Sequence, residues 1–185
     1  MIQVLLVSGS LRGASTNSAL LRTAATVAPA GVSATVYEGM GELPHFNPDD
    51  DAEGVEVPAA VAELRARLGA ADAVLFCTPE YAGALPGSFK NLLEWTVGGH
   101  EIYRLPAAWV NVAAPGRGEN ADESLRKVLG YVGADVAERA VVRINVPHQS
   151  VGGDGLIDDP GVREQIAAAL SALAEQVERR RLDPV

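Results

Sequence analysis

Apolar runs rich in Val, Ile, Leu and Ala recur along the chain at residues 2–7, 32–37, 73–77, 107–112 and 140–146. Most lack the alternation of a half-solvated strand, so they are expected to be strands buried on both faces, as in a parallel sheet. Segments with helical spacing lie between and after them. Leu20, Leu21 and Ala24 follow the first run; Val61, Leu64 and Leu68 follow Pro58; Leu125, Val128, Leu129 and Val132 follow Asp122. In the last segment Val162, Ile166, Leu170, Leu173 and Val177 keep to one face behind the helix-starting "DDPG". Strand and helix thus alternate about five times, the pattern of a doubly wound α/β sheet. Such sheets bind ligands at the carboxyl ends of their strands, near the topological switch point. Three loops therefore carry the interest: residues 8–17, 78–90 and 113–120.

With 185 residues, the chain is expected to form one domain over residues 1–185, burying about 70% of the surface its unfolded form exposes. Its apolar runs are strand-sized, below the roughly 18 residues of a membrane span. No basic region precedes the first run, so it does not have the form of a signal peptide. Cys77 is the one cysteine; no intrachain disulfide is possible, which fits a cytoplasmic location. A formal net charge of −9 argues against nucleic acid or an anionic membrane as partner, since both require a basic face. The segment 45–58, with two prolines and a cluster of acids, is expected to be a long solvated loop. The tail "ERRRLDPV" is expected to end the last helix with cations near the negative end of its dipole.

The first loop reads "SGSLRGASTNS" over residues 8–18. A dinucleotide fingerprint needs Gly-x-Gly-x-x-Gly and a triphosphate loop needs a lysine before Ser or Thr; neither is present. What remains is a strand, a turn and a helix starting near residues 15–17, whose first N–H groups lack intrahelical partners and face the positive end of the dipole. Ser10, Arg12, Ser15, Thr16, Asn17 and Ser18 place six donors within nine residues. Any one of Ser15 or Asn17 is an ordinary helix cap; the cluster as a whole points to a phosphomonoester held without metal. The second loop, "TPEYAGALPGSFKNLLEW" from residue 78, combines prolines 79 and 86 with glycines 83 and 87, leaving main-chain amides bare for close approach to a flat ring. Tyr81 suits either that ring or packing. Lys90 and Asn91 suit the start of the next helix, and Trp95 suits core or a subunit interface.

These residues resemble a known family. "GSLRGASTN" after the first strand, with "PEYAGALPGSFKN" after the third and "DGLIDDPGVREQI" before the last helix, is similar to the NAD(P)H-dependent FMN reductases of flavodoxin-like fold. The resemblance implies a three-layer, doubly wound sheet of five parallel strands in the order 2-1-3-4-5, with bound FMN and NADPH or NADH as reductant. It assigns Ser10, Arg12, Ser15, Thr16 and Asn17 to the FMN phosphate. Pro79, Glu80, Tyr81, Ala82 and Gly83 are assigned to the isoalloxazine, largely through backbone groups. The chain departs from the family in the third loop, "AAPGRGENADESLRKVL", where the common serine and paired glycines are partly replaced; Gly116, Arg117 and Gly118 still offer donors to the ring's oxygen side. A homodimer or homotetramer is implied, with 81–103, carrying Trp95 and Tyr103, as its candidate interface.

Flavin carries the hard step, so no protein nucleophile or metal ligand is required. Consistently, His45, His100 and His148 stand far apart without ligand spacing, and Cys77, ending an apolar strand, reads as a small buried thiol. The expected activity is hydride transfer from NAD(P)H via FMN to a small-molecule acceptor (free flavin, quinone, azo compound or metal oxyanion) in a ping-pong cycle. The competing expectations are a flavodoxin-type electron carrier without direct NAD(P)H reactivity, and an α/β domain with an unrelated phosphorylated ligand.

Overall fold

In the computed structural model, which describes residues 1–182, β1 (Ile2–Ser8) pairs in parallel with β2 (Val32–Tyr37) on one side and β3 (Ala73–Cys77) on the other. β3 continues to β4 (Pro106–Asn111), and every residue of β3 and β4 is buried. The reason these runs lack alternation is visible in the packing. Val4, Leu6, Leu75 and Cys77 face the core under α1 (Thr16–Thr26) and the C-terminal helix (Pro160–Leu182). Leu5, Val7, Val74 and Phe76 face a second core under α2 (Ala59–Gly69), α3 (Gly87–Glu94) and α4 (Glu119–Tyr131). Both faces of each strand are thus apolar, as a sheet between two helical layers requires. The order is β2-β1-β3-β4-β5, and the chain reverses direction across the sheet between β1 and β3.

The fifth position differs from the expected strand at 140–146. It is taken by two short pieces, β5 (Asp135–Val136) and β6 (Val142–Arg143), both parallel to β4. Pro106 pairs with Asp135 and Val110 with Val142, so the outer chain is three residues longer than its partner between those points. A 3-10 turn at Glu138–Ala140 absorbs the excess and buries Ala140 in the core beneath the C-terminal helix, which we call α5. Asp159 starts α5, its Oδ1 accepting from the Val162 amide at 2.9 Å, and Arg179, Arg180 and Arg181 lie in its last turn. The final three residues of the expected basic tail lie outside the described residues.

The acidic segment 45–58 is mostly exposed, as expected, but is pinned to the body at Phe46 and Asp51. Asn91 accepts from the Phe46 amide and donates to the Pro44 carbonyl, both at 2.8 Å. Trp95 Nε1 donates to the same carbonyl at 2.8 Å, and Phe46 meets the Trp95 ring edge-on. Asp51 is drawn inward by Arg65 at 2.7 Å, and that guanidinium also donates to the Trp95 carbonyl. Trp95, fully buried, is therefore a core residue and contributes no surface to an interface. Tyr103 is exposed, its ring passing so close to Gly133 that a Cβ there would lie 2.6 Å from it.

Among the described residues, the buried Tyr37 hydroxyl has no hydrogen-bond partner. Tyr37 is 3% exposed, and burial first, and then Glu63 against the opposing effect of Arg67, push its pKa up to about 12. A raised folded-state pKa contributes stability that is present below the ordinary value of 10.0 and lost as pH rises through about 12. Tyr37→Phe is therefore expected to leave urea-measured stability at pH 7 unchanged or higher, because no hydrogen bond is lost. It is also expected to lessen the decline above pH 10; a variant that declines as steeply as the parent would refute this.

Candidate active site

The first loop leaves β1 at Ser8 and is shaped by contact with the loop after β3. A Cβ on Gly9 would lie 2.2 Å from Thr78 Oγ1, so only glycine permits the approach. Ser15 is the N-cap of α1, with φ −83° and ψ 133°. Its Oγ accepts from the Asn17 amide at 3.2 Å and from Asn17 Nδ2 at 3.3 Å. Asn17 is in turn fixed by the Cys77 thiol, which donates to its Oδ1 at 3.2 Å. Burial, with Asp122 adding to it, pushes that thiol's pKa well above its ordinary value, so it stays protonated and remains a donor. Ser10 is also turned inward, its Oγ accepting from the Arg12 amide. The amides of Thr16 and Ser18 and the guanidinium of exposed Arg12 have no protein acceptor among the described residues.

In the second loop, Tyr81 and Ala84 exchange backbone hydrogen bonds at 3.0 and 3.1 Å around Ala82 and Gly83. Those two residues have φ of 50° and 72°, both in the left-handed region, as a two-residue type I′ hairpin demands. The Glu80 side chain reaches α4: Oε2 accepts from the Asn120 and Ala121 amides at 3.1 and 3.3 Å, and Oε1 from Asn120 Nδ2 at 3.1 Å. A residue expected to act largely through its backbone thus caps a helix from another loop.

The third loop keeps its donors despite the replaced glycines. Gly116 and Gly118 have φ of 76° and 79°. Asn111 ties the loop's base, accepting from the Ala113 amide and donating to the Gly118 carbonyl and to Asp122 Oδ2. Arg143, from β6, donates to the Arg117 carbonyl at 2.7 Å and lies 3.4 and 3.5 Å from the Ala113 and Ala114 carbonyls. The amides of Ala114, Gly116, Gly118 and Glu119, and the Arg117 guanidinium, bond to no protein acceptor among the described residues.

Thr16, Asn17, Pro79, Glu80, Gly116 and Arg117 meet in one crevice of about 470 Å³ at the carboxyl ends of β1, β3 and β4. Gly118, Glu119 and Asn120 complete its far wall. Ser10 and Arg12 instead face a smaller hollow of about 190 Å³ with Ser18 and Arg22, and Ser15 and Thr16 share a third with residues 152–155. Tyr81, Ala82 and Gly83 form the hairpin beyond the crevice wall, with Tyr81 half exposed. Sequence spacing gave no sign of Arg143, which is remote from the third loop along the chain. Asp122 stands in the sequence only as the residue ahead of the Leu125–Val132 helical spacing; the structure makes it an acceptor for Trp109, Asn111 and Arg143. Ala82 is the strained member of the hairpin, since a left-handed residue with a Cβ costs about 1 kcal/mol. Ala82→Gly is expected to raise stability by about 0.5 kcal/mol in urea denaturation, and a loss of stability would contradict the turn.

The family model described as NADPH-dependent FMN reductase matches residues 2–148. An NAD(P)H-dependent FMN reductase of Pseudomonas aeruginosa is 35% identical over 183 residues, covering 97% of each chain. A quinone reductase of Escherichia coli strain K12 is 28% identical, covering 96% of each. Among solved structures, the flavoenzyme NAD(P)H:(acceptor) oxidoreductase FerB of Paracoccus denitrificans superimposes with a TM-score of 0.82 at 27% identity, over 97% of this chain and 98% of that one. The chain belongs to the NADPH-dependent FMN reductase family and is a flavin-dependent oxidoreductase whose reductant is NAD(P)H.

Proposed function

We propose that the protein binds FMN in the crevice between the three loops and carries reducing equivalents from NAD(P)H to a quinone or free flavin in a ping-pong cycle. The observation that carries this is the distribution of donors without a protein acceptor among the described residues: Thr16, Gly116, Gly118 and Arg117 line the crevice, while Ser18 and Arg12 line the smaller hollow on the first loop, which we assign to the phosphate end of the ligand. The donor chemistry fits FMN. Neutral amides at a helix N-terminus and one exposed guanidinium suit a phosphate, and a second set of amides suits the polar edge of a ring. A volume of about 470 Å³ lies within the usual range for small-molecule sites.

When bound, the flavin supplies two-electron chemistry and needs only that donor and acceptor reach it in turn. The chain's part is to bind and orient. The first loop holds the phosphate, the proline-fixed segment Pro79–Glu80 forms a stiff wall, and the third loop meets the ring edge. For a quinone the balance is NAD(P)H, one proton and quinone giving NAD(P)⁺ and hydroquinone. No side chain is required as nucleophile, and among the described residues no cluster of three or more His, Cys, Asp or Glu is placed to hold a metal. The relatives named as FMN reductase and quinone reductase support these two acceptors over azo compounds and metal oxyanions. A location in the cytoplasm is consistent with the single buried thiol.

The decisive experiment is anaerobic addition of NADPH, and separately NADH, to the FMN-loaded protein, followed by benzoquinone. Bleaching by the nicotinamide and recolouring by the quinone are expected. A flavin that binds but stays oxidised under both nicotinamides would make the protein an electron carrier instead.

A homodimer is the assembly this account favours. An apolar groove of about 450 Å³ runs between α3 and α4, beside the second loop, with Val97 and Tyr131 exposed along it. Its rim carries Lys127 and the Lys90–Glu94 ion pair, so two copies related by a two-fold axis can set Lys127 of each near Glu94 of the other. Tyr131→Glu is expected to convert the dimer to a monomer in size-exclusion chromatography; an unchanged elution would move the interface elsewhere.

A further inference from the structure

Arg143 stands at the edge of the sheet, and its guanidinium is held from one side by Asp122, whose Oδ2 lies 3.5 Å from Nη2. Asp122 is itself fixed, accepting from Trp109 Nε1 at 3.0 Å and Asn111 Nδ2 at 2.7 Å. From the other side Nη1 takes up the Arg117 carbonyl at 2.7 Å and lies within 3.4 to 3.5 Å of those of Ala113 and Ala114. A planar trans peptide points its carbonyl and the following N–H in opposite directions. Turning the Arg117 carbonyl toward Arg143 therefore turns the Gly118 N–H away from it, and Gly118 lines the crevice. The same geometry turns the Ala114 N–H away, while Pro115 follows the third carbonyl and has no N–H to misplace.

Glu80 completes the arrangement. By taking the Asn120 and Ala121 amides, it leaves the amides of Gly118 and Glu119 as the unpaired donors at the start of α4. We propose that Arg143 is a positioning residue for the flavin's polar edge: by gathering the third loop's carbonyls it aims the Gly118 amide into the crevice, and so favours reduced over oxidised FMN. The preference arises because the reduced ring carries the greater negative charge at that edge, and a preorganised donor interacts more strongly with the more charged form. The role rests on the proposed FMN site.

The test uses Arg143→Met and Arg143→Lys in the full chain, with dissociation constants measured separately for oxidised and dithionite-reduced FMN. Loss of the fork is expected to leave oxidised FMN within about threefold of the parent and to weaken reduced FMN about tenfold. A tenfold change corresponds to about 30 mV for a two-electron couple. Lysine keeps the charge but cannot span three carbonyls, so Arg143→Lys is expected to show most of the same loss. Melting of the ligand-free variants provides the fold control, and little change is expected because the Arg143 side chain is 32% exposed. Equal weakening of both flavin forms, no weakening of either, or full recovery of the parent ratio by lysine would overturn the proposal. A parent protein that binds no FMN at all would instead overturn the functional reading beneath it.

Discussion

A protein with a net charge of −9 can hold an anionic ligand only where local donors are aimed at it. Charges elsewhere on the molecule are screened beyond about 8 Å at physiological salt. Here the donors are mostly backbone amides left without partners at the carboxyl ends of β1 and β4, where the chain enters α1 and α4. The sheet creates this situation. Strands that are apolar on both faces must be covered by helices, and each crossover delivers a helix N-terminus to the same edge. Around the amides, side chains act mainly as braces. Ser15, Asn17 and Cys77 form a buried chain under the start of α1; Asn111, Asp122 and Arg143 form a partly exposed one under the third loop, and Glu80 holds the start of α4.

The braces connect the loops to each other as well as to the ligand site. Glu80 joins the second loop to α4, and Gly9 lets the first loop lie against Thr78. Arg12 and Arg117 differ from these braces: both guanidinia are free of protein partners among the described residues, which suits groups that must remain available to a ligand.

Much of this was legible from the sequence. The strands up to β4 and helices α1 and α2 announced themselves through apolar runs and helical spacing, and the first loop through its density of donors after β1; α3 starts at Gly87, three residues ahead of the expected Lys90. The fifth strand was not legible, because its two pieces are two residues each and the pairing depends on a three-residue excursion that only β4 reveals. The acids of segment 45–58 are exposed as their clustering suggests, except Asp51; the sequence does not show that Asp51 meets Arg65 or that Phe46 meets Trp95. Trp95 suited core or interface equally until its burial and its bond to Pro44 decided for the core. Glu80 and Arg143 were beyond local reasoning for a common reason: their partners lie 40 and 26 residues away, and no periodicity links them.

The central claim is that partner-free amides at two loop ends, rather than side-chain charge, define the flavin site. An amide-resolved NMR titration of the ligand-free protein with FMN tests it most directly. The account predicts the largest shifts at Thr16, Ser18, Gly116 and Gly118, with riboflavin reproducing the shifts at Gly116 and Gly118 but not those at Thr16 and Ser18. Shifts confined to the groove between α3 and α4, or identical patterns from FMN and riboflavin, would contradict it.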